Sequence, residues 1–188
     1  MKFAFAALLL VASVGSAFGQ FGRVIYISPD EKLRALVIPT KKADGYFHES
    51  RVEMQSASGQ RIAVNDHSSP DREHGRGVVH AAWSPDSQFF VYTTTSSGGH
   101  SAWHFETFVF VRSLSRFYQL DQFVGGSIVD SEFSLFDRSG FHGRRMKSDG
   151  RHEDFEVQLS EIQWKQRPNQ SLEPTAGRLE NYKGEIRK

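Results

Sequence analysis

The chain has no cysteine. That absence excludes disulfides, thiolate metal sites, a cysteine nucleophile and a lipid-attachment cysteine in one step. Charge of neither sign is in excess. Of 23 basic and 22 acidic residues, residues 1–19 hold only Lys2, so 22 face 22 beyond them. Such a balance gives no reason to expect nucleic acid or an anionic membrane as a partner. Catalytic signatures are also missing. There is no G-x-S-x-G elbow, no H-E-x-x-H, no phosphate loop and no dinucleotide fingerprint, and so no cofactor is expected.

The one long apolar run, Phe3 to Val14, is too short for a comfortable membrane span. It follows Lys2 and precedes small residues at Ala17 and Gly19. Residues 1–19 therefore read as a secretory signal peptide, cleaved before Gln20. The expectation is an exported protein, periplasmic or secreted, with no transmembrane segment after cleavage. Residues 20–164 then form one domain of about 145 residues, which must rest on its core alone.

What is present is β structure. Val78 to Thr95, VVHAAWSPDSQFFVYTTT, reads as strand, tight turn and strand. Proline presets φ for the second position of a type I turn, and the flanking serine and aspartate bond nearby backbone N–H groups. Before the turn, Val79, Ala81 and Trp83 are expected on one face, with Val78, His80 and Ala82 on the other. After it, Phe89, Phe90, Val91 and Tyr92 are apolar on both faces, as in a strand covered on both sides.

A weaker copy, RVIYISPDEKLRALVIP, spans Arg23 to Pro39. Ser28-Pro29-Asp30 aligns with Ser84-Pro85-Asp86, and Ile27 falls on Trp83. Each copy continues with two more strand candidates: Glu49 to Gln55 and Arg61 to Asn65, then Trp103 to Arg112 and Arg116 to Leu120. The units, 22–66 and 77–121, thus hold four short antiparallel strands in about 55 residues each. A weak third unit is expected over 126–164, with a strand-like Ile128 to Phe136, a turn at Asp137 to Gly140 and an alternating Phe155 to Trp164. The fold class is all-β: a small antiparallel domain of two to three four-stranded blade-like units, arranged as a propeller or as an open stack or sandwich.

WSPDSQFFVYTTTS, and more faintly ISPDEKLRALVIP, resembles the signature of WD40-like propeller repeats of the TolB and prolyl-oligopeptidase types. The resemblance covers roughly 110 residues. It implies blades and a protein-binding surface, and it implies no catalytic residue. Two departures stand out. The glycine usual after the aspartate is Glu31 in one copy and Ser87 in the other, and Ile27 replaces tryptophan. Two or three blades are also fewer than the four to eight typical of closed propellers. Closure by oligomerisation and a fragment of a longer ancestor fit that shortage, but the expectation is a small open stack or two-sheet sandwich, because loops or charged residues can cover strand edges locally.

Binding on a β scaffold belongs to its loops. Residues 65–77 are polar and turn-rich and read as a flexible surface linker, and 96–101 reads as a mobile loop tip. These loops and their borders carry His67, His74, His100, Trp103 and His104 as candidate binding residues. His100 and His104 are four apart, which on an extended strand separates them by roughly 13 Å and keeps them from sharing a metal. Arg144, Arg145, Lys147, Arg151 and His152 form a local basic patch. From Lys165 the composition predicts a disordered tail, and RPNQSLEPTAGR is similar to tails appended to bacterial reading frames. The functional expectation is a non-catalytic module for a protein or ligand partner. A hydrolase using loop acids and histidines, and a remnant of a larger propeller, are the alternatives.

Overall fold

The computed structural model describes residues 23–41, 47–98 and 104–165. Residues 1–22, including the expected signal peptide, and the tail from 166 onward lie outside the described residues, as do His100 and Trp103. Among the described residues the chain is all-β and forms three antiparallel sheets.

Sheet 1 is a meander of β1 (Val24–Ile27), β2 (Leu33–Lys41), β3 (Phe47–Ser56) and β4 (Arg61–Asp66). Sheet 2 repeats the order with β5 (Arg76–Trp83), β6 (Phe89–Ser96), β7 (Glu106–Val111) and β8 (Arg116–Gln119). Sheet 3 departs from it. Here β10 (Ser134–Phe136), β11 (Gly140–Met146) and β12 (His152–Gln158) pair in order, and β9 (Ser127–Ile128) pairs the far end of β11. The strand expected across 128–136 is therefore broken in two. Its halves share one edge of β11, so the third unit is three strands wide. Trp164 follows a 3-10 turn, Leu159–Glu161, rather than ending a strand, and it buries its indole against Phe123 and Tyr118.

Sheet 2 lies between the other two. Along β6, Phe90 and Tyr92 point into a cluster with Leu33, Ala35, Val52 and Met54 of sheet 1. Phe89 and Val91 point the other way, into a cluster with Phe141 and Phe155 of sheet 3. The period of two thus supplies both cores from one strand. Strand β7 does the same, with Phe108 and Phe110 on one side and Val109 and Val111 on the other.

The expected alternation along β5 needs correction. A bulge at Val79 shifts the register between Val78 and His80. An extra residue reverses side-chain parity. Val78 therefore joins Ala81 and Trp83 toward sheet 1, while His80 turns toward sheet 3 and packs edge-on against Phe133 at 4.5 Å.

Strand direction sorts the loops. The turns at 28–31, 84–87 and 136–140 gather at one end of the sheets, and 67–75, 97–98 and 147–151 at the other. We call these the turn end and the loop end.

Candidate functional site

At the turn end the two Ser-Pro-Asp motifs make the same bonds. Ser28 Oγ donates to Asp30 Oδ1 at 2.7 Å, and the Leu33 N–H donates to Ser28 Oγ at 3.0 Å. Ser84 Oγ donates to Asp86 Oδ1 at 2.7 Å, and the Phe89 N–H donates to Ser84 Oγ at 3.0 Å. Each turn closes with an N–H donated to the serine carbonyl, from Glu31 and from Ser87. Both serines are buried, whereas Pro29 and Pro85 are exposed on the turn surface. The serine hydroxyl and one aspartate oxygen of each motif are thus engaged within its own hairpin, and further bonds link the turns. The Asp30 N–H donates to Ser87 Oγ at 3.0 Å, and Arg112 reaches Asp30 Oδ2 at 2.6 Å. The Asp86 N–H donates to the Arg138 carbonyl at 3.2 Å. These bonds tie each turn to its own hairpin and one turn to the next.

The loop end is built around Glu49. Its side chain accepts from the Ser69 N–H at 2.9 Å, Ser69 Oγ at 2.7 Å, the Gly75 N–H at 2.6 Å and Ser97 Oγ at 3.1 Å. Burial works to raise the Glu49 carboxyl. The bonds from Ser69, Gly75 and Ser97 outweigh it together and hold the group below its ordinary range. Gly75 is required here, because a Cβ at that position would collide with the His67 carbonyl and the Glu49 carboxyl. The loop expected to be a flexible linker is therefore pinned. Its borders also belong to strands: Asn65 and Asp66 lie in β4, Arg76 and Gly77 in β5.

His67 is half-buried and turned inward. Its Nε2 lies 2.9 Å from the Tyr92 hydroxyl, which Asn65 Nδ2 also approaches at 2.7 Å. The ring packs against Phe108 at 4.6 Å. Burial, with the nearby Arg76 charge, lowers its pKa to about 4. The neutral imidazole accepts from Tyr92, and Tyr92 accepts from Asn65. Burial in turn holds the Tyr92 phenol well above its ordinary value.

His74 is placed differently. Its Nδ1 lies 2.5 Å from Asp71 Oδ2, on the exposed surface of the pinned loop. Bonds from the Glu73 N–H, from Ser69 and from His74 hold Asp71 well below the usual carboxylate range. The Asp71 carboxylate raises His74. His104 Nε2 meets Asp121 Oδ1 at 3.1 Å. Asp121 also accepts from the Thr107 and Ile128 N–H groups, each at 2.9 Å. A carboxylate so occupied joins β7 to β9, with His104 on its second side.

Glu49 and Asp121 were not legible as site residues, since a lone carboxylate at a strand border has no spacing signal. Among the described residues no group of three or more His, Cys, Asp or Glu side chains is arranged to hold a metal. The cations of the expected basic patch are each paired: Arg144 with Asp154, Arg145 and Lys147 with the shared Glu153, and Arg151 with Asp149.

No family model matches the chain, and no curated protein matches it. Among solved structures it is similar to a puromycin hydrolase S511A mutant complexed with PGG, with 9% identity and a TM-score of 0.31. That match covers 72% of this chain and 27% of the hydrolase chain. What the chain's own geometry defines is a class, a stack of repeated antiparallel sheets.

Proposed function

We propose that the protein is an exported, non-catalytic binding module of the WD40-like blade type, which receives its partner on the loop end. The observation that carries this reading is the contrast between the pinned loop 67–75 and the groups it presents. Glu49 fixes the loop backbone from beneath, while Asp71, Glu73 and His74 stand exposed above it. A surface ordered before binding loses little conformational entropy when a partner docks. Two units with the same Ser-Pro-Asp bonding support the blade reading, and the pattern of residues 1–19 supports export. Among the described residues no helix is long and apolar enough to cross a membrane.

The test is comparative capture. The whole protein is immobilised and exposed to periplasmic and extracellular extracts of its native host, beside an Asp71→Asn/His74→Ala variant with unchanged circular dichroism. A captured partner whose yield drops at least about fivefold in the variant is expected. Equal capture by both proteins would reject the loop end as the binding surface. Turnover in a panel of peptide, ester and glycan substrates would replace this reading with a hydrolase.

A further inference from the structure

The three sheets leave two outer faces, and these are unlike. On sheet 1 the face turned away from sheet 2 carries Ile25, Ile27 and Val64 at 45%, 57% and 43% exposure. Among the described residues every exposed large hydrophobic side chain lies in sheet 1. The same face carries Arg34, Arg51 and Arg61 against Glu53 and Asp66, three cations against two anions. On sheet 3 the outer face carries Arg144 against Asp154 and Glu156, one cation against two anions, beside Phe136 and Met146.

The turn end adds direction. The turn of sheet 1 donates to the turn of sheet 2 through the Asp30 N–H and Ser87 Oγ, and the turn of sheet 2 donates to that of sheet 3 through the Asp86 N–H and the Arg138 carbonyl. The series runs one way. Its next step would carry the Asp137–Arg138 corner to the residue aligned with Ser87, which in sheet 1 is Glu31. Glu31 and Ser87 share the same left-handed φ, 60° and 63°. Glu31 offers an exposed carboxylate where Ser87 offers a hydroxyl, and Arg138 is an exposed cation.

We propose that these two faces meet across a homodimer, with sheet 3 of each copy packing on sheet 1 of the other to close a ring of six sheets. This inference rests on the blade reading proposed above. Continuity of the turn-to-turn bonds and the opposite charge balance of the faces favour a second copy as the occupant. Six sheets fall within the roughly four to eight of closed propellers. A head-to-tail contact that closes after two copies forms twice, so both apolar faces are covered at once.

The experiment is light scattering on the eluting full-length protein at about 10 µM, a concentration that populates a standard interface of micromolar affinity or better. A mass of two chains that does not rise with concentration is expected. Ile25→Asp/Ile27→Asp should give a monomer with unchanged circular dichroism, since both sites are exposed. Glu31→Arg and Arg138→Glu should each weaken the dimer at least about tenfold, and the two together should restore it. A monomeric wild type overturns the proposal. So does a dimer that Ile25→Asp/Ile27→Asp abolishes and Arg138→Glu leaves intact, which would mean sheet 1 against sheet 1. Masses that grow with concentration would mean an open chain of copies and overturn closure. A monomer that keeps loop-dependent capture defeats ring closure alone, and a dimer without it defeats the binding reading alone.

Discussion

The two ends of the same sheets are held by different kinds of bond. At the turn end the bonds that repeat from sheet 1 to sheet 2 span five residues or fewer, and single long-range links then join one finished turn to the next. At the loop end Glu49 reaches across 20 residues to Ser69, 26 to Gly75 and 48 to Ser97, and nothing repeats. Local bonds form with the hairpin itself, whereas long-range bonds wait until the sheets have docked. The loop end should therefore be the first part of the fold to open and the part most sensitive to distant change.

Acid gives the largest expected separation between the ends. His67 has a pKa of about 4 in the fold against an ordinary 6.5. Between those values the unfolded chain binds a proton that the native state excludes. The stability tied to neutral His67 is thus complete above pH 6.5 and is lost as pH falls toward 4, by up to about 3 kcal/mol. His67→Gln keeps an acceptor for Tyr92 without a titrating ring. Its urea midpoint should change less than that of the wild type between pH 7 and 4.5. An equal fall in both proteins would assign the acid loss elsewhere.

Glu49→Ala comes next. It removes the shared acceptor of Ser69, Gly75 and Ser97 and should cost about 2–3 kcal/mol. Hydrogen exchange should quicken over 67–75 while the turns at 28–31 and 84–87 keep their protection. Faster exchange at both ends alike would break the distinction between them.

Within the turn end, Ser28→Ala and Ser84→Ala remove equivalent bonds and should each cost about 1–2 kcal/mol. A difference much above about 1 kcal/mol in chemical denaturation would show that the turns are not locally held. The smallest effects concern the residues that replace glycine. Glu31 and Ser87 both hold a left-handed φ that glycine adopts without strain. Glu31→Gly should raise stability by about 0.5 kcal/mol. Ser87→Gly gains the same relief but loses the acceptor of the Asp30 N–H, and should lower stability by a similar amount. The opposite signs, read from thermal midpoints at a dilution that separates the copies, distinguish a residue bonded only to its own turn within one chain from one that joins two sheets of it.

Much of the turn end was legible in the sequence. The paired Ser-Pro-Asp motifs and the doubly apolar β6 carried the repeat, and they fix where hairpins form and which residues alternate. Less of the loop end was legible. Residues 65–77 have a linker's composition, yet one carboxylate from another strand holds their backbone. The bulge at Val79 left no composition signal, so only Val78, before it, lies on the face opposite to the expected one. The third unit was harder because its first strand is split between Ser127–Ile128 and Ser134–Phe136, and no Ser-Pro-Asp marks its turn. His67 and His74 were indistinguishable as polar loop histidines. One is neutral and half-buried against Tyr92 and Phe108, and the other is paired on the surface.

The sequence by itself determined the hairpins, because their bonds join residues within one turn of each other. The tertiary structure decided what each equivalent position does. Ile27 and Trp83 occupy the same place before the same turn. Ile27 is left exposed on an outer face, and Trp83 donates its indole N–H to the Tyr26 carbonyl of the neighbouring sheet at 3.0 Å. The same division separates Glu31 from Ser87. Local chemistry sets conformation, but burial and long-range partners exist only once a second sheet is packed alongside.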